Sequence, residues 1–148
     1  RAQIEVGGRL VPEAELRGPA VNAAVSHFAA LPAVRAALLA YQRDQARIAR
    51  EHRFAGLVME GRDIGTAVFP DSPHKFYLDA SPEIRRRRRA AQGHDDSIEH
   101  RDKIDSTRRV APLAVASDAH VVDTSHLDIE GVVEQIAGIL KKAGIPAE

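Results

Sequence analysis

The chain has 148 residues, of which 44 % are hydrophobic and 28 % are charged, a composition typical of one globular domain rather than a disordered or fibrous segment. Its 21 basic residues balance 21 acidic ones, so no overall charge attracts nucleic acid or a membrane surface. It has no cysteine, which excludes disulfides and thiolate metal sites, and its apolar runs are too short to cross a bilayer. These properties favour a protein of the reducing cytoplasm.

The N-terminal third of the sequence predicts a hairpin followed by two helices. Residues 1–11 read as two short extended segments around Gly7-Gly8, a dipeptide that favours a tight turn. From Pro19 to about His52 the pattern is helical, with a break at Leu31-Pro32, because proline suits the first turn of a second helix. That helix has one largely apolar face, formed by Val34, Leu38, Tyr41, Gln45 and Ile48.

Three short apolar runs, each bounded by turn-forming or charged residues, predict buried strands. They are Gly56 to Glu60, Lys75 to Leu78 and His120 to Val122. Ser81-Pro82-Glu83 is typical of a helix N-cap followed by proline, and Ser125 to Asp128 resembles a capping box. The alternation of strands and helices predicts a parallel α/β sheet flanked by helices.

The last predicted helix should end near Gly144 and Pro146, since glycine commonly follows a helix and proline cannot continue one. Its apolar stripe consists of Ile129, Val132, Val133, Ile136, Ile139 and Leu140.

Two of the predicted strands end in residues that can carry chemistry. Ligands of parallel sheets bind beyond the carboxyl ends of the strands, and the runs 60–66 and 123–125 lie there. In the first run Arg62 can clamp a phosphate and Asp63 can accept a hydrogen bond from a base amino group, while flanking glycines let the backbone approach a ligand. A salt-bridged turn is an equally reasonable interpretation of this short motif.

A second charged motif lies at Arg101, Asp105 and Arg108, whose spacing of four and three residues puts them on one face of a helix. Two guanidinium groups with a carboxylate between them can hold a phosphate and a sugar hydroxyl together. The alternative is a ladder of surface ion pairs that contributes little stability.

The run Arg85 to Arg89 goes most of the way round a helix, so Arg85, Arg88 and Arg89 can share a face while Arg86 and Arg87 meet solvent. A short basic helix can supply the fixed positive charge that phosphoryl transfer needs. RNA binding is the alternative, although the neutral chain lacks interleaved aromatic residues.

Two kinds of motif are missing from the sequence. No G-x-x-x-x-G-K-[ST] occurs, and none of the four lysines has the glycine-rich context of a phosphate-binding loop. The seven histidines form no metal-binding pair such as H-E-x-x-H, and we identify no protein metal site.

Five segments together resemble the bacterial cytidylate kinase family. They are residues 19–32 with Val34-Arg35, GRDIGTAVFPD at 61–71, KFYLDASPE at 75–83, RDKIDSTRRVAPL at 101–113 and DAHVVDTSHLDIE at 118–130. They follow the family's order and span nearly the whole chain. The resemblance implies a three-layer nucleoside monophosphate kinase fold, with a parallel sheet flanked by helices, and transfer of a phosphoryl group from Mg-ATP to CMP or dCMP.

The resemblance also implies roles for individual residues. Ser26 and Arg35 match positions that face the cytosine ring, and Asp63 matches the carboxylate that reads its amino group. The positions around the acceptor phosphate are Arg62, Arg101 and Arg108, the sugar contact is Asp105, and the lid-side arginines are Arg88 and Arg89. Cytosine and uracil present opposite hydrogen-bond polarity to such a carboxylate, so the site should discriminate between them.

The sequence departs from the family pattern at its start and in its lid. The family's first strand and phosphate-binding loop have no counterpart, and we interpret Arg1, which is not a methionine, as an internal position of a longer protein. Residues 1–53 are then the remainder of the acceptor-binding region and residues 54–148 the C-terminal part of the kinase core, with a short lid at about 90–100. The missing strand would lie mid-sheet, which predicts unpaired edges and an open core.

We expect a monomer whose partners are small nucleotides, without nucleic acid or membrane. The absent loop leaves one alternative, a non-catalytic nucleotide-binding or protein-interaction module.

Overall fold

The computed structural model describes residues 4–16, 18–91, 107 and 113–145. Within them the strands are β1 (Ile4–Val6), β2 (Arg9–Val11), β3 (Phe76–Asp79) and β4 (His120–Asp123). The α-helices are α1 (Glu13–Leu16), α2 (Pro19–Ala29), α3 (Pro32–Glu51), α4 (Pro82–Ala91) and α5 (Ile129–Lys142), and Ile64–Val68 forms one π-helical turn.

The N-terminal hairpin is confirmed over its described residues. Strands β1 and β2 pair antiparallel, with Ile4 opposite Val11, and the turn between them is Gly7-Gly8. Both glycines have positive φ, +59° and +79°, a combination that glycine adopts without the steric cost other residues meet. A bidentate ion pair between Arg9 and Glu15, with nitrogen–oxygen distances of 2.9 and 3.1 Å, joins the hairpin to α1.

The predicted break between the two helices is confirmed at Leu31-Pro32. Leu31 has extended backbone angles, φ −71° and ψ 123°, which the following proline favours, and Pro32 starts α3. The axes of α2 and α3 are bent by 93°. The predicted apolar face of α3 is only partly covered, since Leu38 and Tyr41 are 48 % and 64 % exposed. No single described helix combines the length and apolarity of a membrane span, and α2 with α3 does so only as this bent pair.

The second sheet consists of β3 and β4 and is parallel, as predicted. Phe76 lies opposite His120 and Asp79 opposite Asp123, so both strands end at the same edge of the sheet. Helix α4 follows β3 and helix α5 follows β4, and Val122 at the centre of β4 is fully buried. The described residues therefore form a small parallel sheet with helices, the coarse architecture expected from the sequence.

The predicted strand at residues 56–60 is wrong. This segment pairs with no described strand, and Val58 is 98 % exposed. A parallel strand obtains its backbone hydrogen bonds only from a neighbour, and no described strand lies beside residues 56–60. The apolar sequence alone therefore cannot make 56–60 a strand. The core of the described residues is correspondingly small, with Ala49, Val68, Ala80 and Val122 as its buried hydrophobic members.

The helix caps agree with the sequence at one site and differ at another. Ser81 caps α4 as predicted, because its Oγ accepts a hydrogen bond from the Ile84 N–H at 3.3 Å. The capping box predicted at 125–128 is wrong: Asp128 is the N-cap of α5, and its Oδ1 accepts from the Gly131 N–H at 2.8 Å. Ser125 does not cap the helix because its Oγ accepts from the Ser81 N–H at 3.0 Å.

Helix α5 ends where the sequence predicted. Gly144 has φ +84°, and the Ile145 N–H bonds back to the Leu140 carbonyl at 3.0 Å, the pattern of a helix closed by glycine. Its apolar stripe is partly covered, since Ile129 and Val133 remain 79 % and 58 % exposed. Pro146 lies outside the described residues.

Candidate functional site

The structure describes part of the predicted site. Arg35, Arg62, Asp63, Arg88 and Arg89 lie within the described residues. Ser26 lies in α2 with its backbone described but not its side chain. Three predicted residues lie outside the described residues, namely Arg101, Asp105 and Arg108, as does most of the predicted lid.

Arg35 and Asp63 form a direct ion pair. Arg35 lies in the first turn of α3, and its Nη2 donates to Oδ2 of Asp63, which follows the apolar segment 56–60. Its Nη1 donates to the carbonyl of Ala29, the last residue of α2, at 3.3 Å. The side chains of Arg35 and Asp63 are 18 % and 12 % exposed, respectively. Residues 28 positions apart in the chain are therefore brought together, as expected if both read one ligand.

The backbone around Asp63 holds that carboxylate in place. The Asp63 carbonyl accepts hydrogen bonds from the N–H groups of Ala67 at 2.9 Å and Val68 at 3.2 Å, and the Phe69 N–H donates to Ile64 at 2.7 Å. The bonds from Val68 to Asp63 and from Phe69 to Ile64 each span five residues, which makes a π-helical turn, a rare conformation that is frequent at functional sites. A Cβ at Gly61 would lie 2.9 Å from Cγ1 of Ile64, so only glycine lets the backbone at residue 61 pack this closely against the Ile64 side chain.

A second arginine of α3 supports the π-helical turn from outside. Arg43 donates from Nε to the Val68 carbonyl at 3.1 Å and from Nη2 to the Ala67 carbonyl at 3.3 Å. Helix α3 is thus bonded to both ends of the π-helical turn, through Arg35 at Asp63 and through Arg43 at Ala67 and Val68. No sequence motif indicates this role of Arg43, because its acceptors are backbone carbonyls and arginine also occupies surface positions of α3.

Lys75, whose sequence context is not that of a phosphate-binding loop, is buried and links two parts of the structure. Its Nζ donates to the Pro70 carbonyl and, at 2.6 Å, to Oδ2 of Asp118. This hydrogen bond lowers the pKa of Asp118. Lys75 thus joins the end of the 61–71 segment to the chain that leads into β4. A Cβ at Gly65 would lie 3.2 Å from the Lys75 Cδ, so the π-helical turn packs directly on the lysine stem.

Arg88 lies at the carboxyl end of the parallel sheet. Its Nη1 donates to Oγ1 of Thr124 at 2.9 Å, and its Nη2 donates to the carbonyls of Thr124 at 2.5 Å and Leu127 at 3.2 Å. Thr124 is buried, and both its N–H and its hydroxyl donate to the carbonyl of Asp79, at 2.8 and 2.9 Å. The hydroxyl and the N–H of Ser125 lower the pKa of Asp123 at the same edge.

The arginines of α4 divide only partly as the sequence predicted. Arg85 and Arg89 are half-buried and Arg86 and Arg87 are exposed, as expected, but Arg88, which was expected to share the face of Arg85 and Arg89, is also exposed while its guanidinium bonds to the turn after β4. No hydrogen bond among the described residues joins the Arg35–Asp63 pair to Arg88, so the structure shows two groups of side chains. Within the described ranges, no three histidine or acidic side chains are placed to hold a metal ion.

A parallel α/β protein with charged side chains beyond its strand ends belongs to a class whose ligands bind at that edge of the sheet. The sequence model of the cytidylate kinase family matches residues 1–142. The chain therefore belongs to the cytidylate kinase family.

Several curated relatives are similar over most of the chain. The protein named cytidylate kinase from Limosilactobacillus fermentum is 43 % identical, and the alignment covers 95 % of this chain and 64 % of the relative. The corresponding protein of Nocardia farcinica is 44 % identical over 95 % of this chain and 62 % of its own length. That of Rhodococcus opacus is 47 % identical over 90 % and 61 %. The chain thus spans less than two thirds of the length of these relatives.

Proposed function

We propose that the protein transfers the γ-phosphoryl group of Mg-ATP to CMP or dCMP, which yields CDP or dCDP. One observation carries the proposal beyond family membership: Arg35 and Asp63, two of the three residues that the resemblance assigns to the cytosine base, are in contact although they lie on separate elements. The finer architecture belongs to the same proposal. It is a three-layer nucleoside monophosphate kinase fold, with residues 1–53 in the acceptor-binding region and 54–148 in the kinase core.

The Arg35–Asp63 pair has the chemistry needed to select cytosine. The Asp63 carboxylate accepts from the exocyclic amino group, and Arg35 donates to the neighbouring ring acceptor. Uracil presents an acceptor where cytosine presents the amino donor, so its oxygen would face the carboxylate. Leaving such a group unpaired costs about 1–3 kcal/mol, roughly ten- to a hundredfold in discrimination. Ser26 completes this base site in the proposal.

The remaining residues act on the phosphates and the sugar. Arg62, Arg101 and Arg108 hold the acceptor phosphate, because guanidinium groups bind phosphate oxygens in a bidentate manner. Asp105 contacts the sugar. Arg88 and Arg89 stabilise the charge of the transferred phosphoryl group, so catalysis rests on positioning and charge neutralisation without a covalent intermediate.

The donor substrate brings Mg²⁺ with its phosphates. Lys75 is unsuited to binding them, since its buried Nζ already donates to Pro70 and Asp118. The described residues to which this proposal gives a role therefore act on the acceptor, through Arg35, Arg62 and Asp63, and on the transferred phosphoryl group, through Arg88 and Arg89.

The proposal is tested with Asp63→Ala and Asp63→Asn in the natural full-length protein. Asp63→Ala should raise the KM for CMP about tenfold or more, the penalty for an unpaired amino group. Asp63→Asn keeps the shape but can donate to uracil, so it should narrow the preference for CMP over UMP. Asp44→Asn, an exposed carboxylate of α3, is the matched control.

Unchanged KM and kcat in both Asp63 variants would remove this residue from the site. Calorimetric titration with CMP separates the kinase from a protein-interaction module, because only a nucleotide site gives base-selective binding.

A further inference from the structure

We propose that Thr124 is a positioning residue for Arg88, which it holds at the carboxyl end of the sheet as a fixed cation facing the phosphoryl group in transfer. This inference rests on the proposed function. The observation that carries it is the set of three hydrogen bonds from Arg88 to the turn after β4.

Among residues 4–16, 18–91, 107 and 113–145, the acceptors of Arg88 are electrically neutral. They are one hydroxyl and two backbone carbonyls, whereas Arg35 and Arg47 donate to carboxylates. A carboxylate partner would cancel most of the positive charge at short range, but a hydroxyl or carbonyl fixes the guanidinium and leaves its unit charge in place. Arg88 is therefore held in position and remains a full cation.

A fixed cation suits phosphoryl transfer better than a mobile one. Negative charge is spread over the phosphoryl oxygens in the transition state, and catalysis depends on donors that are already in position. An exposed arginine that must be ordered during the reaction loses side-chain entropy at that step. The contacts with the turn after β4 impose this order before the substrates arrive.

Thr124 is the member of this cluster whose side chain can be altered selectively. It is buried, and its Oγ1 lies between two partners, accepting from Arg88 and donating to the Asp79 carbonyl at the end of β3. The hydroxyl thus ties the guanidinium to the ends of both parallel strands. The other two acceptors are backbone carbonyls, which a side-chain substitution leaves in place.

Thr124→Val removes the hydroxyl with little change of shape, and Thr124→Ser restores it. In steady-state assays of the natural full-length protein with CMP and Mg-ATP, Thr124→Val should lower kcat about ten- to a hundredfold, the range for losing a hydrogen bond to a charged group. The KM for CMP should change less than about twofold, because the contacts that bind CMP equally well in the ground state and the transition state are retained. Thr124→Ser should recover most of kcat, and Arg87→Met, an exposed neighbour, is the control for Arg88→Met.

The deciding measurement is the double-mutant cycle. If Thr124 acts through Arg88, then Thr124→Val should cause no further loss of kcat in the Arg88→Met background. Equal losses in both backgrounds, or a lower melting temperature with kcat intact, would overturn the inference and leave Thr124 a structural residue. If the wild-type protein does not phosphorylate CMP, the proposed function fails and this role fails with it; normal turnover that Thr124→Val leaves unchanged overturns this role alone.

Discussion

Replacement of Arg35 by methionine should destabilise the protein far more than the same replacement at Arg47 on the same helix. Arg35→Met leaves the Asp63 carboxylate, which is 12 % exposed, without its guanidinium partner. Arg47 also pairs with carboxylates, Asp44 and Glu51, both at 2.6 Å, but its side chain is 54 % exposed. Water replaces a lost partner at an exposed carboxylate but not at a largely buried one.

The size of the effect follows from this burial. Removing one partner of a fully buried ion pair costs about 3–5 kcal/mol, and the residual exposure of Arg35 and Asp63 reduces our expectation to about 2–4 kcal/mol. With a urea dependence of about 2 kcal/mol per molar, the unfolding midpoint should fall by about 1–2 M. Arg47→Met should shift the midpoint by no more than the experimental error, because most exposed pairs contribute little.

Urea unfolding of the natural full-length protein, followed by circular dichroism, measures this difference. Adding Asp63→Asn to Arg35→Met should restore part of the stability, since the double variant has no unpaired charge. Equal midpoint shifts for Arg35→Met and Arg47→Met would refute the reasoning, as would strictly additive losses in the double variant.

Two further predictions concern Lys75 and the glycine packed on it. The hydrogen bond from Lys75 lowers the pKa of Asp118 below its ordinary value of 3.8, so the stability it contributes is present above that pH and is lost as the pH falls through the lowered pKa. The difference in urea midpoint between wild type and Asp118→Asn should therefore be largest at neutral pH and shrink below about pH 4; a constant difference would contradict it. Gly65→Ala should lower the melting temperature, because its Cβ would lie 3.2 Å from the stem of a lysine held by two hydrogen bonds. Gly138→Ala, in open space on α5, should instead stabilise by about 0.5–1 kcal/mol. Thermal scans compare the two glycine variants, and the same sign of shift for both would contradict the packing argument.

Local features of the fold could be predicted because their causes lie within a few residues. Gly7-Gly8 gave the hairpin turn, Pro32 gave the helix break and Gly144 gave the end of α5, each through a backbone preference of that residue. The strand at 56–60 failed for the opposite reason. An apolar run becomes a strand only beside a neighbouring strand, and no local sequence records whether that neighbour is present.

The candidate site was predictable where a family motif names both charged partners and unpredictable where no motif joins the two groups. The family motif indicated both Arg35 and Asp63, and their charges are complementary. Arg43 donates to carbonyls, which every residue type provides, so the sequence contains no pattern for its contacts. Lys75 donates to the Pro70 carbonyl and also to the Asp118 carboxylate, but these charges lie 43 residues apart and no motif of the sequence joins them. Thr124 was noticed only as a polar residue after a strand, and its link to Arg88 depends on how α4 packs beside the sheet edge.

The nature of the acceptor, more than the number of arginines, determines what each arginine can do. A chain with no net charge can still present a strong local field if some of its cations have neutral partners. Arg35 pairs with Asp63, so this group has little net charge and suits an uncharged base, which it can select by hydrogen-bond polarity. Arg88 donates to a hydroxyl and carbonyls at the sheet edge, so its full charge can act on a phosphoryl group. Leu127→Glu would place a carboxylate beside Arg88, as Asp63 lies beside Arg35. This change should therefore lower kcat while leaving the preference for CMP over UMP intact. A loss of that preference would show that the two groups do not act separately.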